Sequence, residues 1–422
     1  MISFATAMKW LNRIAQVFRP GYVRCSIRPA RAGRNERVLS SIYHVSTVIW
    51  RSVTPTRLGR PFRARCFPRP EDLGCSVMPF HGETDFVMST LTDKTTRAAT
   101  KTQLRLRPAL EFFGRYNTII IGVLIFVAAS ILSDTFLTVR NQTNVLRQTA
   151  PVAISAMGML LVILTGGIDL SVGSVSALGC VLSADFITTD HLPIPVAIAL
   201  TILSGCFLGA LSGYLISVHR MPPFVVTLGV MTIGRGLALI IAKGHPIYLG
   251  DTGAALTNFG QSDFAGIPNQ VLLTLVVFLI TVFILKLTAF GRLVKAIGSN
   301  EEAVRLSGIR VGWYIFAVYV ISGGLSALSG IVEAARAGVG SPVIGIGMEL
   351  DVIAAVVIGG ASLMGGRGTA LNTVIGVLVL GIISNFMNLQ NVPGYHQNVV
   401  KGVIILLAVL LQTGFRGRAG QR

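Results

Sequence analysis

The sequence predicts an all-α, polytopic membrane protein with about ten transmembrane helices and both termini cytoplasmic. Three observations predict it. The chain is 52% hydrophobic and only 13% charged, with mean hydropathy +0.69, beyond the usual range of soluble domains. Its apolar residues gather into runs near the ~20 residues that a helix needs to cross a hydrocarbon core. Its Lys and Arg fall mostly in alternate loops, as expected when positive charge stays on the inner side.

Residues 1–87 carry 14 Lys and Arg against 5 Asp and Glu, and residues 88–422 carry 22 against 13. Each part therefore supplies half of the net +18, and the second half of that excess follows membrane topology, so no nucleic-acid partner is required. Residues 1–87 show no sustained helical or strand period and are expected to be disordered. An organelle transit peptide fits poorly, because the apolar residues lack helical spacing and Glu71, Asp72, Glu83 and Asp85 interrupt the basic run. The simpler expectation is an upstream extension, with Met88 opening the protein proper and 88–116 forming a cytoplasmic N-terminal segment.

A transmembrane domain is expected over 117–412, followed by a cytoplasmic tail, 413–422. Its spans are predicted at 117–133, 150–166, 170–188, 194–217, 224–242, 270–289, 311–331, 348–365, 370–387 and 397–412. With the N-terminus inside, the inner loops hold Lys101, Arg105, Arg107, Arg115, Arg220, the cluster from Lys286 to Arg310, Arg367, Arg416, Arg418 and Arg422. The outer loops hold Arg140, Arg147, Lys243, Arg336 and Lys401. An even number of spans keeps this asymmetry.

Gly205, Gly209 and Gly213 make a double GxxxG stripe, and Gly323, Gly324 and Gly330 recur in the seventh span, both read as helix-packing surfaces. Cys25, Cys66, Cys75, Cys180 and Cys206 show no metal-ligand spacing, and the two within spans are read as small buried hydrophobes. No metal site or cofactor is expected.

Polar residues inside apolar runs are the candidate functional positions. Asp169 lies in LTGGIDLSVGSV, flanked by Gly166, Gly167 and Gly173, with Ser171 beside it. This pattern reads either as a helix break whose freed backbone groups face protein or a wet cavity, or as a tight cytoplasmic turn with an exposed Asp. Arg235 falls near the middle of the fifth span, where a guanidinium must be paired or face water. Glu349 and Asp351, at the outer end of the eighth span, are its expected partners, and the three are candidates for a translocation path.

The loop 291–310, GRLVKAIGSNEEAVRLSGIR, is charged and capped. Ser299 followed by Glu302 has the spacing of a capping box, Glu301 and Glu302 complement the helix dipole, and Gly308 can close the helix in a left-handed turn. Ala303, Val304 and Leu306 give it a small apolar face. It is read as a short helix offered to a partner, the alternative being a basic loop that only sets topology. Enzyme signals are missing: there is no GxxxxGK[ST], no Gly-Lys dipeptide and no HExxH, so this chain is not expected to hydrolyse ATP itself.

Four stretches together resemble the sugar-type inner-membrane permeases of bacterial ABC importers, the ribose and xylose permease family. They are LTGGIDLSVGSVSAL from Leu164, PPFVVTLGVMTIGRGLAL from Pro222, AIGSNEEAVRLSGI from Ala296 and ELDVIAAVVIGGASLMGGRGT from Glu349. They occur in the family's order, and the similarity runs from about Thr118 to Leu411. The resemblance implies a permease homodimer in the bacterial inner membrane, with ABC ATPase subunits on the cytoplasmic face and a periplasmic sugar-binding protein delivering a monosaccharide. It also implies that Ser299 to Gly308 is the coupling helix that docks on the ATPase. Two alternatives from other classes are a secondary transporter driven by protons or sodium through Asp169, Glu349 or Asp351, and a membrane scaffold or receptor. Within the ABC class, another small polar solute is the alternative cargo.

Overall fold

The computed structural model describes residues 119, 120 and 122–419. The expectations for 1–87, for 88–116 and for the last three residues of the tail lie outside them. The described part is mostly helical. Helix α1 (Gly122–Leu132) is followed by α2 (Val139–Leu164), α3 (Val172–Thr188), α4 (Ile194–Ser217) and α5 (Pro223–Ile241). A short excursion carries β1 (Ile247–Tyr248), α6 (Ala254–Gln261), β2 (Asp263–Phe264) and β3 (Ile267–Pro268). Then come α7 (Asn269–Leu287), α8 (Ala289–Ser299), α9 (Glu301–Leu306), α10 (Val311–Ala337), β4 (Val339–Gly340), α11 (Met348–Ile358), α12 (Ala370–Leu389) and α13 (Gly394–Ala419).

Six of these, α2, α4, α5, α7, α10 and α12, are long and apolar enough to cross a membrane. The other four expected spans fall on α1, α3, α11 and α13, which lie outside that class. The eighth span, expected over 348–365, is helical only to Ile358. Gly360, Gly365 and Gly366 take positive φ there, and Ser362 N–H bonds Arg367 O in a tight reversal that a helix could not contain.

Helix α10 is the centre of the assembly and makes its most extensive contacts with α4, then α3 and α2. Small residues make this possible. A Cβ on Gly205 would run into Ala327 and Gly323, one on Gly209 into the Tyr319 carbonyl, and one on Gly213 into the Phe316 backbone. The predicted stripe is therefore the α4 face that lies on α10. Close backbone approach maximises van der Waals contact where lipid gives no hydrophobic drive for helices to associate. Buried Asn141 of α2 and Asn385 of α12 add a reciprocal amide pair, at 3.0 and 2.9 Å. Both buried side chains thereby find hydrogen-bond partners within the protein.

The loops collect at two ends. At one, β1 pairs antiparallel with β4, through Ile247 with Gly340 and Tyr248 with Val339, and Arg147 meets Asp263 at 2.6 Å. At the other, Gly366 N–H bonds Leu164 O at 2.9 Å, and Gly298 lies against the same carbonyl and Gly365. The loops that the charge rule groups as inner thus touch one another at this end.

A leucine at Gly209 is expected to lower stability by on the order of 2 kcal/mol through overpacking, read as a lower thermal unfolding midpoint in detergent. Gly229→Leu on α5, where an added Cβ meets nothing within 4 Å, is expected to stay within ~0.5 kcal/mol.

Candidate functional site

Helix α2 stops at Leu164 because Gly166 turns left-handed, with φ +83. Thr165 Oγ1 and the N–H groups of Thr165 and Gly167 all satisfy Val162 O. The chain then enters α3 through Asp169, which is 2% exposed. Its Oδ1 accepts from Ser171 N at 2.9 Å and Ser171 Oγ at 2.6 Å, and its Oδ2 accepts from Ser322 Oγ of α10 at 2.8 Å. Three donors thus satisfy this buried carboxyl group at the N-terminal end of α3. Ser322 lies eleven residues beyond Val311, about 16 Å along α10 at 1.5 Å per residue. Asp169 is therefore the anchor of a helix break deep in the bundle and is no exposed turn residue. The sequence placed the break; the partner, Ser322, carried no signal of its own beyond its position beside Gly323 and Gly324.

Arg235 projects from α5 and does not pair with a carboxylate as expected. Its Nη1 donates to Pro342 O at 2.7 Å and Ile344 O at 2.6 Å, both in the segment between β4 and α11. Backbone carbonyls are adequate partners for a guanidinium, because each terminal nitrogen carries two N–H donors and Nη1 serves both carbonyls. Asp351 turns away to Lys401 of α13, with Nζ to Oδ2 at 2.7 Å. Glu349 lies close enough for its charge to act on Arg235, but the two form no ion pair. Its Oε2 is buried without a hydrogen-bond donor among the described residues, an arrangement that costs about 1–3 kcal/mol or more. That oxygen rests against Gly173 of α3, where a Cβ would collide with it and with Gly345 O.

The charged loop contains two helices. Thr288 caps α8 by accepting from Gly291 N at 3.2 Å, and Gly291, Val294 and Ile297 bury its inner face. Ser299 is not the cap of the second helix. It is the last residue of α8, and its Oγ donates to Lys295 O at 3.0 Å. Asn300 takes the extended conformation that a cap requires, φ −162 and ψ 95, and its Oδ1 accepts from Ala303 N at 3.0 Å. Because α8 continues through Ser299, that residue lacks the non-helical backbone of an N-cap. The register moves by one, and Glu302 pairs with Arg305 instead, Oε2 to Nη2 at 2.5 Å. That hydrogen bond raises the guanidinium pKa above its ordinary value.

Other features of α9 follow the sequence. Glu301 and Glu302 occupy its first turn, and Gly308 turns left-handed just beyond it at φ +80. Val304 packs with Ile297 and Val311, fixing α9 to α8 and to the start of α10. Ala303 is exposed and Leu306 is 79% exposed. Between α9 and the break lies a cavity of about 470 Å³ lined by Gly166, Gly167, Arg220, Glu301, Arg305 and Arg310.

Residues 141–409 match the family described as branched-chain amino acid transport system / permease component. The chain is 44% identical over 288 residues to the ribose import permease protein RbsC of Bacillus subtilis, covering 68% of this chain and 89% of that protein. It is 42% identical over 295 residues to RbsC of Escherichia coli K12, covering 69% and 92%. It is also 33% identical over 361 residues to the E. coli xylose transport system permease protein XylH, covering 71% and 91%. No solved structure matches it.

Double-mutant cycles test the pairing pattern. Arg235→Ala and Asp351→Ala are expected to be additive within about 0.5 kcal/mol. Asp351→Ala and Lys401→Ala are expected to couple by about 0.5–1 kcal/mol, read from thermal unfolding in detergent.

Proposed function

This chain belongs to the permease-component family of branched-chain amino acid transport systems, and from that premise we propose that it is the membrane subunit of an ATP-driven, binding-protein-dependent importer of a ribose- or xylose-like monosaccharide. The observation that carries this reading is identity of about 40% to ribose import permeases across roughly nine-tenths of their length. Two copies of the chain form the path through the bacterial inner membrane, ATPase subunits hydrolyse ATP on the cytoplasmic side, and a periplasmic protein delivers the sugar. The end carrying α8 and α9 is cytoplasmic and the β1–β4 end is periplasmic, with ten spans and both termini inside.

Helix α9 is the surface that meets the ATPase. It is capped by Asn300, closed at Gly308 and anchored by Val304, and it offers Ala303, Leu306 and the Glu301–Glu302 turn outward. A push on α9 reaches Val311, the first residue of α10, through the Val304 contact. Helix α10 carries that displacement to Ser322 and so to Asp169, where α2 and α3 are not a continuous helix. A break held by hydrogen bonds can shift as a unit, which suits the switching of a path between two faces.

The secondary-transporter reading has less support. A proton-carrying acid needs to exchange partners, whereas Asp169 is held by three hydrogen bonds and Asp351 by Lys401, which leaves Glu349 as the one acid that reading could use. Arg235 and Glu349 remain the residues assigned to the translocation path; Asp351 is assigned to tying α11 to α13.

Tagged chain purified from its native membrane is expected to bring down an ATPase subunit. The Glu302→Arg, Leu306→Asp double variant is expected to lose at least about tenfold of it, the scale of a disrupted interface anchor, while remaining membrane-inserted. Absence of any ATPase with the wild-type chain would overturn the reading.

A further inference from the structure

The charged groups of the spans do not share one role. Asp169 is saturated and Asp351 is ion-paired, but Glu349 Oε2 is shut from solvent with no donor among the described residues. Arg235 shows the complementary excess. A guanidinium has five N–H donors, and Arg235 uses the two on Nη1 for Pro342 O and Ile344 O. The three on Nε and Nη2 have no partner among the described residues. The segment 341–347 joins the two groups: Arg235 holds it by those carbonyls, and its Gly345 packs on Gly173 beside Glu349 Oε2.

We infer that Glu349 and Arg235 form a subsite for a neutral polyol in transit, in which Glu349 accepts from one sugar hydroxyl and Arg235 donates to an adjacent sugar oxygen. This rests on the reading of the chain as a sugar permease and assigns that permease a selective contact of its own. The chemistry favours a neutral solute. An anion is repelled by the carboxylate and a cation by the guanidinium; among solutes without net charge, the sugar reading selects a polyol, whose neighbouring hydroxyls present a donor and an acceptor together, over a zwitterion. Held by Arg235, the segment 341–347 lies against Gly173 beside Glu349 Oε2, so its displacement both uncovers that oxygen and releases donors.

The test is uptake of radiolabelled ribose, allose and xylose by cells whose only copy of the gene carries a variant, with assembly measured as ATPase recovered on the tagged chain. For the sugar that wild type takes up, Glu349→Leu is expected to lower the maximal rate at least about tenfold, the loss of a charge-assisted hydrogen bond. The half-saturating concentration, set by the binding protein, stays unchanged. Glu349→Gln, which keeps an acceptor, is expected to lose less. Uptake by Glu349→Leu within about twofold of wild type overturns the inference. So does a Glu349→Gln chain that no longer assembles, because the carboxylate is then a packing element. Wild-type uptake of none of the three sugars overturns the functional reading itself.

Discussion

Helix α10 occupies the middle of the described structure because glycines on the neighbouring helices let backbone touch backbone. Gly205, Gly209 and Gly213 approach it from α4, Gly179 from α3 and Gly158 from α2. In lipid, no hydrophobic penalty forces helices together, so contact area and satisfied polar groups must do it. The same closeness brings Ser322 within 2.8 Å of Asp169. A larger residue on these faces would separate α10 from α2 and leave a buried carboxylate short of one donor.

From that constraint the two ends of the molecule acquire a connection. Val311 begins α10 in the apolar contact that fixes α9, and Ser322, further along the same helix, holds the break between α2 and α3. The break itself is closed by Gly166, whose positive φ lets the α2 carbonyls be capped at once. On the far side of α3, Gly173 makes room for Glu349. One helix thus lies between the short exposed helix α9 and the polar groups inside the bundle.

Much of this was legible from local chemistry. Apolar run lengths located the six helices long enough to cross a membrane but overran α11, which ends at Ile358; glycine spacing located the α4–α10 contact, and the glycines around Asp169 located the break. Partners distant in sequence were not legible. Nothing local distinguishes Ser322 from other span serines, and Lys401 reads only as a loop charge until α13 is placed beside α11. The cap at Ser299 failed for a different reason. Two adjacent residues, Ser299 and Asn300, are both good caps, and only the length of α8 decides between them. Arg235 needs partners by its charge alone, but the carbonyls of a non-helical segment more than a hundred residues away supply them without any local signal.

The central claim, that this chain moves a sugar with energy supplied by an ATPase on the α9 face, is tested most directly by the energy source of uptake. Radiolabelled ribose, allose and xylose would be offered to cells treated either with ionophores that collapse proton and sodium gradients at maintained ATP, or with an ATP-depleting agent at maintained gradients. The account predicts uptake that survives the first treatment and stops under the second. Uptake that stops with the gradients and continues without ATP would contradict it.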